Sequence, residues 1–265
     1  MSVFDQVDLT AAAETTANGA TPSTPPAAPT PIRPSPASKH FTGLTVRIAR
    51  SDDDLSDLYA LRHRAYLERG AIRPKPSGQF IDRYDMTRTA LQVIVSDGSS
   101  IVGGLRLAFQ PPTRIGIADY PSSPEFEVFA DVIAGLDHQS SPICSGSRLC
   151  IEPGHPRRVQ IALLMMMAQV RGASAAGAGW GIATVRGSHV AFYRRILQMR
   201  PLSKERPMPG LTLSYQLVAA DVPRVIGAVL DGMPGGCRDY FEAMHPDWDD
   251  QVRADLPAIT LGEVA

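Results

Sequence analysis

The sequence has few cysteines, almost no net charge and no excess of basic residues. Among its 265 residues are three cysteines, Cys144, Cys150 and Cys237, an odd number without the spacing of metal ligands. They predict reduced thiols in an intracellular protein, and no bound metal, rather than a disulfide framework. The formal net charge of −1 supplies no field that would recruit nucleic acid or an anionic membrane.

Signals for membrane insertion and export are also missing. The longest apolar run, IALLMMMA, is far shorter than the roughly 20 residues that a membrane-spanning helix needs. The N-terminal segment has neither the basic start nor the apolar core of a signal peptide. Together with a hydrophobic content of 44%, which is typical of globular proteins, these features predict a soluble, cytoplasmic protein without a membrane span.

Composition divides the chain into three regions. Residues 1–40 are rich in Pro, Ser, Thr and Ala and offer little to bury, which predicts a disordered tail. Residues 41–232 alternate between strand and helix patterns and are expected to form the main domain. Residues 233–265 are expected to be a helical extension.

The patterns within the main domain predict the order β-α-β-β-α-β-α-β-α-β. Ser51, followed by three aspartates, is expected to cap a helix that ends near Arg69. Two strands joined by Asp97, Gly98 and Ser99 predict a hairpin.

The second half of the domain begins after a Pro-rich stretch. Residues 126–136 predict one short amphipathic helix, and a central strand then leads into the longest helix, at about residues 157–176. This helix is apolar nearly all round, so it should pack on several sides, with most of Met165 to Met167 in the core. Helices are expected at residues 222–230 and 239–244.

Four short motifs occur in a distinctive order along the chain. They are Arg62 with Tyr66, Asp82 with Asp85, Gly103 to Leu107 around Arg106, and Ser147 with Arg148. This ordered set resembles the N-acyl amino acid synthase family and its relatives, the LuxI-type acyl-homoserine-lactone synthases. Residues 189–202, with a His, an aromatic-Tyr-Arg-Arg run and a later Arg-Pro-Leu, strengthen the resemblance, which covers about residues 44–230.

The resemblance implies a fold and a reaction. The fold would be α/β (α+β), the GNAT acyltransferase fold, a mixed, mostly antiparallel sheet flanked by helices. The activity would be that of an N-acyltransferase, with a long acyl chain passing from the phosphopantetheine arm of acyl carrier protein, or from acyl-CoA, to a small amine or amino acid. Because nothing resembles a Ser-His-Asp or Cys-His set, we expect direct attack on the thioester without a permanently bound cofactor.

Five residues are the catalytic candidates. Asp82 and Asp85, paired acids just before a strand, are expected to orient an ammonium group or steer its proton. A buried guanidinium is costly unless it is paired, so we expect Arg106 and Arg148 to pair with these acids and hold the loop that covers the acceptor. Such a cluster can also be architectural. By resemblance to many GNAT enzymes, Tyr193 is expected to protonate the leaving thiol.

The acceptor side is expected to include Arg62, Tyr66, Ser145 and Ser147. Here the chain departs from its relatives, which commonly carry Glu at the position of Ser145. Ile72 stands where homoserine-lactone synthases tend to carry Trp. Both differences favour an N-acyl amino acid synthase-like enzyme. The missing Glu also leaves open which residue binds the acceptor.

The donor side is expected at the start of the longest helix. GNAT enzymes commonly place a Gly-rich loop there, whose N–H groups bind a pyrophosphate. Gln160 stands where the key Gly belongs, and its side chain would crowd coenzyme A, so acyl carrier protein is the preferred donor. That carrier is acidic and should dock on basic residues. The candidates are Arg157, Arg158, Arg194, Arg195, Arg200, Lys204 and Arg206.

Three other functions stay open on the sequence alone. One is an acyl-homoserine-lactone synthase, which shares the motifs. A second is an acyl-CoA N-acetyltransferase, which the missing Gly argues against. The third is a non-catalytic descendant that binds acyl chains or a partner protein, which Ser145 makes plausible.

Overall fold

The computed structural model describes residues 40–112, 121–138, 140–233 and 236–256. The predicted disordered tail, apart from His40, lies outside these residues. Within the described ranges no helix is both long and apolar enough to cross a bilayer. Nor do His, Cys, Asp and Glu side chains in these ranges form a group placed to hold a metal ion.

Eight strands form one sheet. They are β1 (Leu44–Ile48), β2 (Ala90–Asp97), β3 (Ser100–Gln110), β4 (Ile143–Ile151), β5 (Trp180–Val185), β6 (Arg200–Pro201), β7 (Arg206–Pro207) and β8 (Ser214–Asp221). Their spatial order is β1-β2-β3-β4-β5-β8-β6, and β7 also pairs with β8. Neighbours run antiparallel except β4 and β5, which are parallel.

The helices flank this sheet. They are α1 (Asp52–Glu68), α2 (Glu125–Val128), α3 (Ala130–Ile133), α4 (Arg158–Ala175), α5 (Val190–Leu197), α6 (Val222–Gly232), α7 (Cys237–Met244) and α8 (Trp248–Asp255). The element order and the mixed, mostly antiparallel sheet are those of the GNAT acyltransferase fold, as the sequence predicted. The predicted cap of α1 is confirmed, since the Ser51 hydroxyl accepts a hydrogen bond from the Asp54 N–H at 3.1 Å.

The elements differ from the prediction in two places. The single helix expected at residues 126–136 is two short helices that meet at Phe129, a fully buried residue of the cluster with Ile143 and Ile182. Helix α8 lies within the region expected to be a helical extension but was not predicted as a separate helix, because its buried apolar positions are only Trp248 and Val252. Three consecutive methionines of α4 are all fully buried, as expected of a helix covered on several sides.

Two adjacent glycines let helices approach both faces of β3. A Cβ atom at Gly103 would collide with Ile161 of α4, and one at Gly104 would collide with Leu58 of α1. Because successive residues of a strand point to opposite faces, this pair brings α4 and α1 close to the sheet on its two sides.

Alanine at either glycine of β3 is expected to destabilise the fold. We expect Gly103→Ala and Gly104→Ala each to lower the free energy of unfolding by about 1–3 kcal/mol, through overpacking. Urea unfolding followed by circular dichroism measures this. Gly227→Ala is the matched control, because it meets open space in helix α6 and should be neutral or stabilising by up to about 1 kcal/mol. Equal effects at all three positions would contradict the close-approach argument.

Candidate active site

The two aspartates of the Asp-x-x-Asp motif fold back on each other. Asp82 caps a short 3-10 turn at Arg83–Met86, and Asp85 lies within that turn. An Asp82 carboxylate oxygen accepts from the Tyr84 N–H at 3.0 Å, and Asp85 accepts from the Asp82 N–H at 2.9 Å. This reciprocal capping explains the spacing of three residues.

Asp85 forms the buried end of a charged network. Arg62 Nη1 lies 3.0 Å from both Asp85 carboxylate oxygens, and Arg62 Nη2 donates to the Gln92 amide oxygen at 3.0 Å. The Gln92 amide in turn donates to Asp85 at 3.2 Å. The side chains of Arg62 and Asp85 are completely shielded from solvent, so this ion pair lies in the protein interior.

Asp82 forms the outer end of the same network. Arg106 Nη1 donates to Asp82 at 2.7 Å and to Asp85 at 3.0 Å, and its Nε donates to the Ser147 hydroxyl at 3.2 Å. Arg148 binds Asp82 through Nε at 2.9 Å and Nη2 at 2.6 Å. We call these three arginines and two aspartates the Arg–Asp network. The pairing expected from the sequence is present, and it links α1, the 3-10 turn, β3 and β4.

The network keeps Asp82 ionised. Burial would raise the pKa of Asp82, but Arg106 and Arg148 outweigh it and lower the pKa to about 2. A carboxylate with this pKa is a poor base near neutral pH. This favours a positioning role for Asp82, and the predicted role of Asp82 and Asp85 in catalysis stays a prediction.

The pKa of Asp82 predicts a loss of stability in acid. A folded-state pKa of about 2, below the ordinary 3.8, means that the ionised group stabilises the fold above about pH 4 and that this contribution is lost as pH falls towards 2. At pH 5 we expect the free energy of unfolding of the wild type to be about 2 kcal/mol higher than that of Asp82→Asn. The difference should shrink towards zero near pH 2. A difference that does not change with pH in urea titrations would contradict this pKa.

Arg148 adopts an unusual backbone conformation. Its φ of 56° is left-handed, a conformation that costs a residue with a side chain about 1–2 kcal/mol. The strand pairing opposite is irregular between Gly104 and Arg106. The guanidinium, which binds Asp82, lies 5.1 Å from the centre of the Phe80 ring. Local strain of this kind is characteristic of functional sites.

A cleft opens where β4 and β5 separate. Their parallel pairing runs from Ile143 and Trp180 to Gly146 and Ala183, and beyond these residues the two strands diverge. The cleft receives residues from β4, β5, α1, α5 and the segment before β8. Four predicted site residues line it, namely Tyr66, Ser147, Arg148 and Tyr193. The residues that do not line it are Arg62, Asp82, Asp85, Arg106 and Ser145. Arg106 and Asp82 contact the lining residues Ser147 and Arg148 through hydrogen bonds.

Burial holds the reactive side chains of the cleft in their protonated forms. It raises the pKa of the Tyr193 phenol to about 12 and that of the Cys150 thiol to about 11. Tyr193 can therefore donate a hydrogen bond, whereas Cys150 is a weak nucleophile. This agrees with direct attack on a thioester rather than a cysteine-bound intermediate.

The predicted donor residues lie outside the lining of the cleft. Arg157 is committed elsewhere, since its guanidinium donates to the His40 carbonyl at 2.9 Å and lies 3.6 Å from Asp97. Gln160 occupies the first turn of α4, next to Arg158, whose Nε is buried without a partner among the described residues. Arg194 and Arg195 are exposed on α5, adjacent to Tyr193.

The sequence reading missed two arginines that do line the cleft. Arg69 ends α1, and Arg186 directly follows β5. Burial lowers the pKa of Arg69, and the positive charges of Arg158 and Arg186 lower it further. We call these three arginines the basic mouth. The sequence signal that could have identified Arg69 and Arg186 was their position directly after two elements that border the site.

The sequence reading also missed Glu125. It is the first residue of α2, is 1% exposed and lines the cleft. Its Oε1 accepts from the Thr184 hydroxyl at 3.0 Å. Glu125 follows a Pro-rich stretch without regular periodicity, so nothing in the local pattern marked it.

Comparisons with known proteins agree with this architecture. A sequence profile of N-acyl amino acid synthases, named after FeeM, matches residues 57–221. The solved structure of FeeM, an N-acyl amino acid synthase from uncultured soil microbes, is similar with a TM-score of 0.56 at 12% identity, covering 68% of this chain and 91% of FeeM. No curated protein sequence matches the chain.

Two homoserine-lactone synthases share the fold. BjaI, a CoA-dependent acyl-homoserine-lactone synthase, has a TM-score of 0.54 at 22% identity, covering 72% of this chain and 91% of BjaI. LasI, also a synthase of acyl-homoserine lactones, has a TM-score of 0.51 at 17% identity, covering 69% of this chain and 93% of LasI.

Proposed function

The chain belongs to the N-acyl amino acid synthase family of acyltransferases, and on this basis we propose that it transfers a long acyl chain from acyl carrier protein to the amine of an amino acid. The observation that carries the proposal is the cleft between the diverging β4 and β5, lined by Arg148 and Tyr193.

The diverging strands suit the arm of an acyl donor. Beyond Gly146, the edge of β4 that faces β5 has no strand beside it among the described residues. A phosphopantetheine arm is extended and contains amide groups, so it can bind such a backbone edge as an added strand does. The thioester would then lie in the cleft near Tyr193.

The reaction in this cleft is direct aminolysis. The amine nitrogen attacks the thioester carbonyl carbon, the C–N bond forms, the C–S bond breaks and the sulfur leaves as a thiolate that takes up a proton. Tyr193, which stays protonated, donates a hydrogen bond to the departing sulfur. Positioning of the two reactants supplies much of the rate enhancement, and the Arg–Asp network fixes the wall against which they lie.

Arg148 is the cation proposed to hold the acceptor's carboxylate. It is the member of the Arg–Asp network that lines the cleft, and only its Nε and Nη2 are used to bind Asp82. The guanidinium is therefore fixed in orientation by Asp82 while one edge stays available. Tyr66 and Ser147 lie in the same lining and complete the acceptor side.

The basic mouth supports a phosphate-bearing, acidic donor. Arg69 and Arg186 have no ion-pair partner among the described residues, and neither does Arg158. Acyl carrier protein presents an acidic surface around the phosphate of its arm, which such a mouth would attract. Coenzyme A also carries phosphates. Assays that supply the same acyl chain on acyl carrier protein or on coenzyme A therefore decide which donor the enzyme uses.

Charge reversal in the basic mouth is expected to weaken use of the carrier protein. We expect Arg186→Glu to lower kcat/KM with acyl carrier protein about tenfold at low salt, and less at high salt, because steering by surface charge is screened. Arg224→Glu is the matched control, since Arg224 is exposed on α6 and does not line the cleft. Equal losses in both variants would argue against carrier docking at the mouth.

The proposed reaction is tested by mass spectrometry of lipid extracts. Cells that express the protein should contain N-acyl amino acids that are absent from cells expressing Tyr193→Phe with Arg148→Gly. The chain length and the amino acid would be identified in the same spectra. Absence of acylated amines with both donors in purified assays would reject the proposal.

A second candidate is an acyl-homoserine-lactone synthase, which the similarity of BjaI and LasI in fold favours. It requires S-adenosylmethionine as the amine, and the product is a lactone. Incubation with that compound and each acyl donor separates the two functions, because only the lactone synthase releases methylthioadenosine.

The predicted cytoplasmic location stays a prediction.

A further inference from the structure

We infer that Glu125 binds the acceptor's ammonium group and receives its first proton, replacing the carboxylate that β4 lacks at Ser145. This inference rests on the proposed acylation of an amine. It adds to the site a residue that none of the family motifs contains.

The carboxylate of Glu125 is incompletely paired. One oxygen, Oε1, accepts from Thr184, but Oε2 has no hydrogen-bond partner among the described residues. A buried polar atom without a partner costs about 1–3 kcal/mol, and more when it is charged. Because Glu125 lines the cleft, its unpaired carboxylate oxygen is expected to find its partner in a ligand. The ligand must bring a hydrogen-bond donor, preferably a cationic one.

Glu125 lies where the two strands separate. Ser145 pairs in register with Ile182, so Ser147 and Thr184, two residues further on, project from the same sheet face just beyond the last paired residues. Thr184 is the residue that binds Glu125. The carboxylate is therefore held at the inner end of the cleft, beside the position that the thioester would occupy.

The backbone that carries Glu125 is fixed by packing. Helices α2 and α3 contribute Phe129 and Ile133 to a buried cluster with Ile143 of β4 and Ile182 of β5. The same face carries Ser145, whose buried hydroxyl also has no partner among the described residues. A carboxylate that is absent from β4 is thus supplied by an adjacent element on the same side of the sheet.

Arg148 makes the cleft complementary to a zwitterion. Glu125 and Arg148 line the same cleft. Burial would lower the pKa of Arg148, but interactions with Tyr66, Asp82 and Glu125 outweigh it and raise the pKa. Among the described residues the guanidinium donates hydrogen bonds to Asp82 and not to Glu125. One anion and one cation that are not paired with each other match the ammonium and carboxylate of an α-amino acid.

Each proton that leaves the ammonium group has a defined destination. The ammonium group donates one proton to Glu125 Oε2 and becomes a neutral amine, whose lone pair attacks the thioester carbon. When the C–S bond breaks, the second proton of the nitrogen is transferred to the thiolate sulfur, assisted by the hydrogen bond from Tyr193. The products are the amide and the thiol, and Glu125 returns its proton to water.

The decisive variant is Glu125→Gln, which keeps the size of the side chain and an oxygen for Thr184 but removes the charge. Assays use decanoyl-acyl carrier protein and an equimolar mixture of the twenty amino acids, followed by kinetics with the best acceptor of the wild type. We expect KM for the acceptor to rise at least tenfold and kcat to fall, with KM for the donor unchanged. The melting temperature should be kept or raised, because an unpaired buried charge is removed.

Two further variants separate binding from a merely structural role. Glu125→Asp keeps the charge and should recover part of the acceptor affinity. Thr184→Val removes the hydrogen bond that orients Glu125 and should raise KM for the acceptor less than Glu125→Gln does. An active wild type whose Glu125→Gln variant has an unchanged acceptor KM would overturn the role of Glu125 alone. A wild type that acylates no amine would overturn both this role and the proposed function.

Discussion

Replacement of Asp85 by alanine is expected to lower the free energy of unfolding by about 3–5 kcal/mol, a large fraction of the stability of a typical domain. The carboxylate is fully shielded and is the only acidic partner of Arg62 among the described residues. Without the Asp85 carboxylate, the buried Arg62 guanidinium keeps its positive charge and has only neutral hydrogen-bond partners. Arg106 is affected less, because it keeps Asp82.

Urea unfolding of three variants tests this expectation. Arg64→Ala, from the same helix, breaks the solvent-exposed pair with Glu152 and should cost less than about 1 kcal/mol. Arg62→Met combined with Asp85→Ala should cost less than Asp85→Ala alone, since no charge is left unpaired. If the double variant were the least stable of the three, the loss would come from packing rather than from an uncompensated charge.

Arg148→Gly is expected to reduce acyl transfer about 100-fold while the protein stays folded. The change removes the proposed carboxylate-binding group from the cleft, and misplaced reactants commonly lose about this factor. Relief of backbone strain should offset much of the lost pairing with Asp82, because glycine adopts the left-handed conformation at this position without strain. Asp82 still binds Arg106 and the Tyr84 N–H.

The variant Arg148→Lys separates the contribution of the guanidinium's geometry from that of its positive charge. Arg148→Lys keeps the positive charge but cannot bind Asp82 through two nitrogen atoms, so we expect an intermediate loss of kcat/KM. The readouts are product formation by mass spectrometry and the melting temperature of each variant. An Arg148→Gly protein that unfolds but shows normal activity per folded molecule would mean that Arg148 serves the fold and not the acceptor.

The sequence predicted most of the architecture and part of the site. Capping at Ser51 and the alternation of apolar residues are local signals, so the order of strands and helices followed from them. The burial of Arg62 and Arg106 was also foreseeable, because a charged residue within an apolar segment needs a partner and two aspartates stood near in the motif order.

Other features depend on contacts between distant segments. Glu125 reaches the cleft only because α2 packs on β4 and β5, which no local pattern specifies. The separation of β4 from β5 is a property of the paired strands, and the left-handed backbone at Arg148 has no residue signature. Arg157 illustrates the reverse case, since a residue that suited the donor side by position is bound to His40 and lies near Asp97 instead.

The short parallel pairing of β4 with β5 makes the cleft a wedge with a fixed apex. Gly146 and Ala183 hold the apex, whereas no strand of the described ranges forms a hydrogen-bonded ladder across the open end, at Ile151 and Arg186. A small rotation of one half of the sheet about this hinge would widen the entrance greatly and displace the apex little. Thr184 and Glu125 lie next to the apex. The molecule can thus yield to a bulky donor at its entrance while the groups proposed to hold the amine keep their spacing.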